Sequence, residues 1–389
     1  MTEKRIPYGR QDISEDDIKA VVDTLRSDFL TQGPEVPRFE KVVADYCGAG
    51  FGIAMNSATS ALHVACLALG LGPGDMLWTT PITFVASANC ARYCGADVDF
   101  VDIDPTTYNL SPEQLTEKLA SAEKAGRLPK ILVAVHLSGE PCDMAALGGL
   151  CRQYGVKLIE DASHAIGGRY RDARIGRCDH SDVTIFSFHP VKIVTSAEGG
   201  MAVTNDAELA GRMALLRSHG ITRDVSLMHN QPHGGWYYEQ IGLGFNYRIT
   251  DIQAALGTSQ MTRLDDFLKR RHALADRYDE QLARLPVVTP YRNPENYSGL
   301  HLYIVRVPAR PGKPDRDQVF RSLQNAAIGV NLHYIPVHMQ PYYREHGQGN
   351  KTYPAAEAYY REAITLPLFP GLSESDQDRV ISSLAAALE

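Results

Sequence analysis

A lysine placed between two predicted strands is the residue of this chain whose setting most favours chemistry. The strand-like run 182–187 leads through Pro190 to Lys192, and a Gly-Gly pair at 199–200 lets the backbone turn into a second apolar run. A lysine at the end of a buried strand loses hydration, which disfavours its ammonium form and leaves a free amine for Schiff-base chemistry. An isolated lysine is far more often an ordinary surface residue, so this interpretation of Lys192 needs support from its neighbours.

A carboxylate at the end of another buried run provides that support. The run 156–161 ends in Asp161, and His164 follows three residues later. Ligands of open α/β sheets bind at the carboxyl ends of parallel strands. Pyridoxal phosphate needs a carboxylate beside its ring nitrogen, because the protonated ring withdraws electrons from the substrate carbanion. Asp161 suits that role, and His164 could orient Asp161 or bond the cofactor's phenolic oxygen. Without Lys192, a helix cap and a core histidine would explain the two residues equally well.

Small polar residues at the start of a predicted helix supply a candidate phosphate site. The strand-like run 51–56 leads into Ser57-Ala58-Thr59-Ser60, and a helix with an apolar side follows. A helix start offers unpaired N–H groups and the positive end of the helix dipole. Thr59 and Ser60 are the expected side-chain donors, and Ser187 offers a further hydroxyl. Many helices begin with serine or threonine, so this pattern is weak without Lys192 and Asp161.

Strand-like and helical runs alternate along the first half of the chain. The predicted strands are 51–56, 76–80, 97–102, 131–136, 157–161, 183–187 and 201–204. Such alternation predicts a mostly parallel sheet with helices on both faces. A long helix that carries Leu264 and Leu274 is expected to lead out of this domain, and a strand at 302–307 is expected in a smaller one. The segment 218–244 is predicted to be a long loop, with aromatic residues that would contact a sugar or a second subunit.

Composition excludes several functional classes. The chain has 389 residues with mixed charges and a net charge of −7, so no basic stripe indicates nucleic acid as a partner. No run is long enough to cross a membrane, and the polar N-terminus leads into no apolar signal segment. The seven cysteines are scattered in apolar runs, which favours reduced thiols in a cytoplasmic protein. No metal site is expected.

The ordered blocks of this chain resemble the nucleotide-sugar aminotransferases of pyridoxal-phosphate fold type I. The resemblance begins at Ile6 and rests on blocks at 30–34, 56–63, 81–86, 100–104, 160–165, 186–192, 244–248, 251–255 and 366–370. It implies a mostly parallel seven-stranded sheet sandwiched by helices, plus a smaller C-terminal α/β domain. The implied organisation is an N-terminal arm at 1–30, a large cofactor-binding domain at 31–260 and a small domain at 261–389.

The resemblance also implies roles for individual residues. Lys192 would hold pyridoxal 5'-phosphate covalently and later move a proton, and Asp161 would pair with the ring nitrogen. His164 would contact the phenolic oxygen, and Phe84 would stack on the ring. Thr59, Ser60 and Ser187 would bind the phosphate, and Asn246 of the partner subunit would reach the same phosphate. Ala58 would also contact the cofactor. The sugar nucleotide would be bound by Tyr8, Thr31, Gln32, Gly33, Asn331, Leu332, His333 and Tyr334. Active sites shared across a dimer interface imply a homodimer.

Blocks at 186–192, 218–222, 236–240 and 333–338 most resemble the pseudaminic acid branch of this family. That branch implies amino transfer from L-glutamate, which leaves 2-oxoglutarate, to C4 of a UDP-linked 4-keto-6-deoxy-N-acetylhexosamine. The implied product is UDP-4-amino-4,6-dideoxy-N-acetyl-β-L-altrosamine. A different NDP-4-keto-6-deoxy sugar is the main alternative. A sugar dehydratase of the same fold would carry histidine in place of Lys192, and a non-catalytic sugar-binding protein would be expected to lack Lys192 or Asp161.

Two positions depart from the family pattern. Many relatives have glycine where this chain has Ala58, and a Thr-Gly-Glu-Gly-Gly run where this chain has Ala197 in the segment 195–200. If residue 197 requires a positive φ, alanine is strained there. The geometry of the loop that carries Lys192 therefore depends on Ala197.

Overall fold

The computed structural model describes residues 4–389. Its strands are β1 (Phe51–Met55), β2 (Met76–Thr79), β3 (Asp97–Phe100), β4 (Ile131–Val135), β5 (Lys157–Asp161), β6 (Arg169–Tyr170), β7 (Ala173–Arg174), β8 (Val183–Ser187), β9 (Gly200–Thr204), β10 (Ile221–Thr222), β11 (Glu239–Gln240), β12 (Tyr303–Arg306) and β13 (Ala363–Leu366). The seven strands of the main sheet lie within two residues of the predicted positions.

The helices surround this sheet and build the C-terminal part of the chain. They are α1 (Glu15–Leu25), α2 (Glu35–Cys47), α3 (Ala58–Ala68), α4 (Ala86–Tyr93), α5 (Pro112–Lys124), α6 (Met144–Tyr154), α7 (Ala207–Arg217), α8 (Asp251–Met261), α9 (Leu264–Leu282), α10 (Arg316–Asn325), α11 (Pro341–Tyr343), α12 (Pro354–Glu362) and α13 (Glu374–Ala387). Short helical turns of other types cover Leu137–Gly139, Val225–Leu227, Val337–Met339 and Arg344–Gln348.

The main sheet has the strand order β1-β9-β8-β5-β4-β2-β3. Strand β9 is antiparallel to both neighbours, and the remaining pairs are parallel. The predicted mostly parallel seven-stranded sheet is therefore confirmed. Because β9 is antiparallel, the loop from β8 to β9 lies at the edge where the parallel strands end. This topology brings the Lys192 loop to the carboxyl ends of β1, β4 and β5.

Helices cover both faces of the sheet. Along β4, Ile131, Val133 and Val135 belong to one apolar core, whereas Leu132 and Ala134 belong to the other. Strands β4, β8 and β9 are buried along their whole length, as expected for strands with a packed layer on each side.

The C-terminal part of the chain has its own core. Strands β12 and β13 form an antiparallel pair, and the predicted helix through Leu264 and Leu274 and the predicted strand at 302–307 are both confirmed. Ile6 packs into this core, and its N–H donates to Ala327 O at 3.0 Å. The N-terminal segment thus lies against the C-terminal core. The domain boundaries after residues 30 and 260 stay a prediction.

Three further features bear on the remaining expectations. The segment predicted as a long loop contains the short antiparallel β10–β11 pair. The Glu239 carboxylate accepts hydrogen bonds from the backbone N–H groups of His229 and Asn230 in the connecting loop. All seven cysteines are free, and Cys178 is the one that is partly exposed. Among residues 4–389, no helix is both long and apolar enough to span a membrane, and no group of metal-ligating side chains is arranged around a common ion position.

Candidate active site

A cavity of about 420 Å³ lies at the carboxyl edge of the main sheet. Its wall includes Val135 at the end of β4, Asp161 at the end of β5, Ser187 at the end of β8 and Lys192 in the loop to β9. This is the edge at which open α/β sheets bind ligands, and a cavity of this volume is in the range of small-molecule sites. The residues predicted from separate strand ends therefore meet in one place.

Lys192 has the electrostatic setting that a carbonyl-binding amine needs. Burial in the cavity lowers the pKa of Lys192 to about 8, although the nearby Asp161 carboxylate opposes part of that shift. Its backbone N–H donates to His189 O at 2.9 Å, which closes the turn after Pro190. Because desolvation disfavours the ammonium, the free-amine form of this side chain is far more populated near neutral pH than that of an ordinary lysine.

Asp161 is held in one orientation by hydroxyl donors. Ser87 Oγ donates to Asp161 Oδ2 at 2.6 Å, and Ser163 donates to Oδ1 through both its N–H at 3.1 Å and its Oγ at 2.6 Å. The carboxylate is buried, and Oδ2, which accepts one hydrogen bond here, can accept a second. Sequence reasoning missed Ser87, which lies on α4, 74 positions from Asp161. No local pattern connects the two.

The start of α3 forms one side of the cavity. Ser57 is the N-cap residue, and its Oγ accepts the Ser60 N–H at 3.1 Å. Ser57, Ala58 and Thr59 line the cavity together with Ser187. The Ser60 hydroxyl instead donates to Asn56 Oδ1 at 2.6 Å. The cavity therefore receives Ser57, which was not among the predicted residues, rather than Ser60. The signal that could have found Ser57 is its position directly before the helix, where N-cap residues occur.

A glycine lets the lysine loop approach this helix start. A Cβ atom at Gly200 would lie 2.3 Å from Ala58 N and 2.3 Å from Ser57 C. Such distances would force β9 and α3 apart. The glycine at the start of β9 therefore keeps the α3 N-terminus beside the loop that carries Lys192.

The opposite side of the cavity comes from the C-terminal part of the chain and the N-terminal segment. It is lined by the predicted substrate residues Tyr8, Asn331, Leu332, His333 and Tyr334. Phe84 also lines the cavity, and 58% of its surface is exposed. His164 is largely buried but also lines the cavity, and Tyr334 Oη lies 3.1 Å from His164 Nε2. Burial and the nearby Lys192 charge hold the pKa of His164 well below its ordinary value, so this imidazole is neutral.

Besides Ser60, four predicted site residues lie outside the cavity formed within one chain. Thr31 pairs with Thr250, and the Gly33 N–H donates to Asp251 Oδ2 at 2.8 Å. Gln32 has a positive φ of 55° in the exposed turn between them. Asn246 is exposed and pairs with Ser218. Thr31, Gln32, Gly33 and Asn246 therefore do not line the cavity of their own chain.

Several other residues that were not predicted as site residues line the cavity, among them His189, Glu198 and His301. His301 is buried, and within residues 4–389 its Nδ1 has no hydrogen-bond partner. Burial holds the pKa of His301 well below its ordinary value. The sequence gives no signal for His301, because its neighbours read as the start of a core strand.

Ala197 has the positive φ that its sequence context indicated. Its φ is +65°, and the residue is exposed. Ala197→Gly is expected to raise the free energy of unfolding by up to about 1 kcal/mol, because relief of the left-handed strain exceeds the added entropy of the unfolded chain. Urea denaturation of the cofactor-free protein measures this change. As a matched control, Ala58→Gly in the first turn of α3 should lower stability by about 0.5–1 kcal/mol. A loss of stability in Ala197→Gly would contradict the interpretation.

The arrangement fits pyridoxal phosphate group by group. Lys192 supplies an amine for the aldehyde, Asp161 a carboxylate for the ring nitrogen, and the α3 start with Thr59 and Ser187 a site for the phosphate. The exposed Phe84 ring offers a flat apolar surface that a bound aromatic ring would cover.

Comparisons with known proteins agree with this chemistry. Residues 11–385 match the DegT/DnrJ/EryC1/StrS aminotransferase family. SpsC of Bacillus subtilis strain 168, a spore coat polysaccharide biosynthesis protein, is 37% identical over 390 residues, which cover 99% of this chain and 98% of SpsC. Helicobacter pylori PseC, an aminotransferase involved in the biosynthesis of pseudoaminic acid, is 27% identical, with 99% of each chain covered and a TM-score of 0.90. Spr1654 from Streptococcus pneumoniae in its PLP form is 30% identical, with 98% of each chain covered and a TM-score of 0.88.

These findings confirm the predicted fold class, enzyme class and cofactor. The whole length of the chain takes part in the similarity, so no large segment is left without a counterpart in these relatives. The chain therefore belongs to the DegT/DnrJ/EryC1/StrS family of pyridoxal-phosphate-dependent sugar aminotransferases.

Proposed function

We propose that this enzyme transfers an amino group from L-glutamate to C4 of a UDP-linked 4-keto-6-deoxy-N-acetylhexosamine. The product would be UDP-4-amino-4,6-dideoxy-N-acetyl-β-L-altrosamine, for pseudaminic acid biosynthesis. The observation that carries the proposal is the likeness to PseC over 99% of both chains at a TM-score of 0.90. The sequence blocks shared with that branch include the Lys192 loop and the 333–338 segment, and both contribute to the cavity.

Different side chains of the cavity would have separate roles in transamination. The bound cofactor supplies an electron sink for the negative charge that develops at the substrate carbon. Asp161 would hold a proton at the ring nitrogen. The Lys192 amine would remove a proton from the α-carbon of glutamate and, in the second half-reaction, deliver a proton to C4 of the sugar. The α3 N-terminus, Thr59 and Ser187 would neutralise the phosphate and fix its position.

A different NDP-4-keto-6-deoxy sugar is the second candidate substrate. SpsC shares 37% of its residues with this chain, more than the 27% shared with PseC, and its name refers to a spore coat polysaccharide. That relation supports another surface-polysaccharide sugar as the alternative substrate. The presence of Lys192 at the carboxyl edge of the sheet, with membership of an aminotransferase family, favours transamination over the dehydratase and binding-protein alternatives.

Discrimination between the two substrates calls for a single-turnover assay. The purified protein is loaded with pyridoxamine phosphate and mixed separately with UDP- and GDP-linked 4-keto-6-deoxy sugars, while the absorbance of the aldehyde form is followed. Rapid conversion of the altro-configured UDP-N-acetyl sugar alone is expected. Faster conversion of another sugar would move the enzyme to another glycan route, and no conversion of any sugar would overturn the proposed reaction. Lys192→Ala protein serves as the control for non-enzymatic exchange.

We also propose a homodimer whose active sites are shared between subunits. Thr31, Gln32, Gly33 and Asn246 lie outside the cavity of their own chain, where a partner's cavity could receive them. The segment around the β10–β11 hairpin exposes apolar side chains, with Trp236 at 66% and Leu243 at 83% exposure. Exposed apolar groups of this size mark interaction surfaces.

Mixing two inactive variants tests the shared site. Lys192→Ala and Asn246→Asp should each be impaired, the second because its carboxylate would repel the cofactor phosphate. A one-to-one mixture, after subunit exchange, should recover about a quarter of the wild-type activity, because half of the dimers would carry one intact site. Lys192→Ala mixed with Asp161→Asn is the control and should recover nothing, since both residues belong to one chain's cavity. Equal recovery in the two mixtures, or none in either, would contradict the shared site.

The enzyme is proposed to act in the cytoplasm. The seven free cysteines support this location, because thiols persist in reducing compartments. Fractionation of the native host and an assay of each fraction with the sugar identified above would test it.

A further inference from the structure

The tautomer of His164 is fixed by a backbone donor. The Ser138 N–H donates to His164 Nδ1 at 3.3 Å. A backbone N–H can only donate, so Nδ1 must be the acceptor and must lack a proton. A neutral imidazole carries its single proton on the other nitrogen, and His164 is neutral because burial lowers its pKa. His164 therefore carries its proton on Nε2.

This tautomer decides which way the Tyr334 hydroxyl points. His164 Nε2 lies 3.1 Å from Tyr334 Oη, so its N–H donates to the phenol oxygen. The hydrogen of the phenol must then be directed elsewhere. Among residues 4–389, His164 is the one hydrogen-bond partner of Tyr334 Oη, and Tyr334 lines the same cavity as Lys192. Burial raises the pKa of Tyr334, so the phenol keeps its proton.

The turn that supplies the backbone donor is strained and tightly packed. Ser138 has a φ of +62°, and a Cβ atom at Gly139 would lie 2.6 Å from His164 O. The Ser138 carbonyl accepts the His301 N–H at 2.8 Å, and the His301 ring lies 4.5 Å from that of His164. Strained backbone persists where the surrounding contacts over-determine it, and such positions cluster at functional sites. The turn thus fixes the His164 ring both through the Ser138 N–H and through the neighbouring His301.

We propose that Tyr334 donates its phenolic hydrogen to an oxygen acceptor of the bound cofactor or substrate beside Lys192. Ser138 and His164 are positioning residues that set the direction of this donor. The family resemblance implies that His164 itself contacts the phenolic oxygen of the cofactor. In this proposal His164 acts through Tyr334 instead, in a hydrogen-bond relay that ends in the Tyr334 hydroxyl. The acceptor is an oxygen with anionic or carbonyl character, either the cofactor's phenolic oxygen or the keto oxygen of the sugar. The inference does not depend on which sugar is the substrate.

Tyr334→Phe distinguishes these two acceptors. If the acceptor is the cofactor's phenolic oxygen, the substitution removes a hydrogen-bond donor to that oxygen and makes its anionic form less stable. The pH midpoint of the absorbance change of the pyridoxal-phosphate-loaded protein should then rise by about one to two units. If the acceptor is the sugar's oxygen, the midpoint should stay and the single-turnover rate with the sugar that the wild type converts should fall at least about tenfold. A variant with unchanged midpoint and unchanged rate would overturn the proposal.

Two further measurements separate the relay from a purely structural role. His164→Phe leaves the Tyr334 hydroxyl in place but removes its orientation, so it should move the same observable as Tyr334→Phe, in the same direction. Tyr353→Phe removes a hydroxyl that bonds Asp99 outside the cavity and should leave the midpoint unchanged. Nitrogen-15 NMR of histidine-labelled protein, with the His164→Phe spectrum as the assignment reference, should show His164 as the Nε2–H tautomer. An Nδ1–H tautomer would overturn the direction of the relay.

Discussion

Lys192→Ala is expected to abolish transamination, with at least about a 10³-fold loss of the single-turnover rate with either glutamate or the keto sugar. The loss has two causes, since the variant lacks both the amine that binds the cofactor's aldehyde and the group that moves the proton. Pyridoxamine phosphate should still bind with nearly the wild-type Kd, because Asp161 and the α3 N-terminus remain. Absorbance-detected single turnovers and equilibrium titration measure the two quantities. Retention of more than a tenth of the wild-type rate would contradict the role of Lys192.

The pH dependence of cofactor attachment provides a second test of Lys192. Its pKa is lowered from an ordinary value of 10.5 to about 8. The rate at which pyridoxal phosphate attaches to the cofactor-free protein should therefore rise with pH up to about 8 and level off above it. At pH 7 about a tenth of the side chain would be free amine, compared with roughly three parts in ten thousand for an ordinary lysine. A rate that keeps rising towards pH 10 would show that Lys192 is not desolvated in this way.

Asp161→Asn carries the second large expected effect, a loss of about 10²–10⁴-fold in kcat. The amide is close in size to the carboxylate but has no charge, so it cannot hold a proton at the ring nitrogen. The amide also cannot accept all of the hydrogen bonds that Ser87 and Ser163 now donate to the two oxygens, unless the Ser87 hydroxyl reverses. Stopped-flow kinetics with glutamate alone would measure the effect on the first half-reaction.

Ser87→Ala is the matched control for Asp161. This variant removes one donor to Asp161 Oδ2 but keeps the charge, so its rate should stay within about tenfold of the wild type. Equal losses in Ser87→Ala and Asp161→Asn would mean that orientation of the carboxylate, and not its charge, limits the reaction. Wild-type activity in Asp161→Asn would remove Asp161 from the mechanism.

The strands of the main sheet, with Asp161 and Ser187 at their ends, could be predicted because the sequence patterns that indicate them are local. The apolar runs that form β5 and β8 end in Asp161 and Ser187, and parallel strands place their ends at one edge. The side-chain orientations at the candidate phosphate site, at the start of α3, could not be predicted in the same way. Successive residues of a helix point in directions about 100° apart, so the sequence cannot tell that Thr59 faces the cavity while the Ser60 hydroxyl turns to Asn56.

Residues that reach the site from distant segments escaped prediction for a different reason. Ser87 and His301 lie in runs that read as ordinary core, and only tertiary packing brings them to Asp161 and His164. The resemblance indicated Tyr334, but its orientation depends on a strained turn at Ser138 for which the sequence has no signature. The resemblance also indicated Thr31, Gln32, Gly33 and Asn246, which lie outside the cavity of their own chain, so their proposed contacts with a ligand depend on the proposed dimer.

The pairing of β1 with β9 also sets the order in which the site can form during synthesis. Phe51 pairs with Thr204, so β1 and the helix that follows it wait for the chain up to residue 204 before the strand gains its neighbour. At ordinary translation speeds that interval lasts roughly 8–30 s. The cavity residues from Asn331 to Tyr334 are synthesised later still. Tyr8 is among the first residues synthesised, but its carbonyl accepts a hydrogen bond from the N–H of Leu368, which is made near the end of synthesis. A nascent chain on the ribosome thus exposes α3 long before Lys192 is made, and the cavity is complete only when nearly the whole chain has been synthesised.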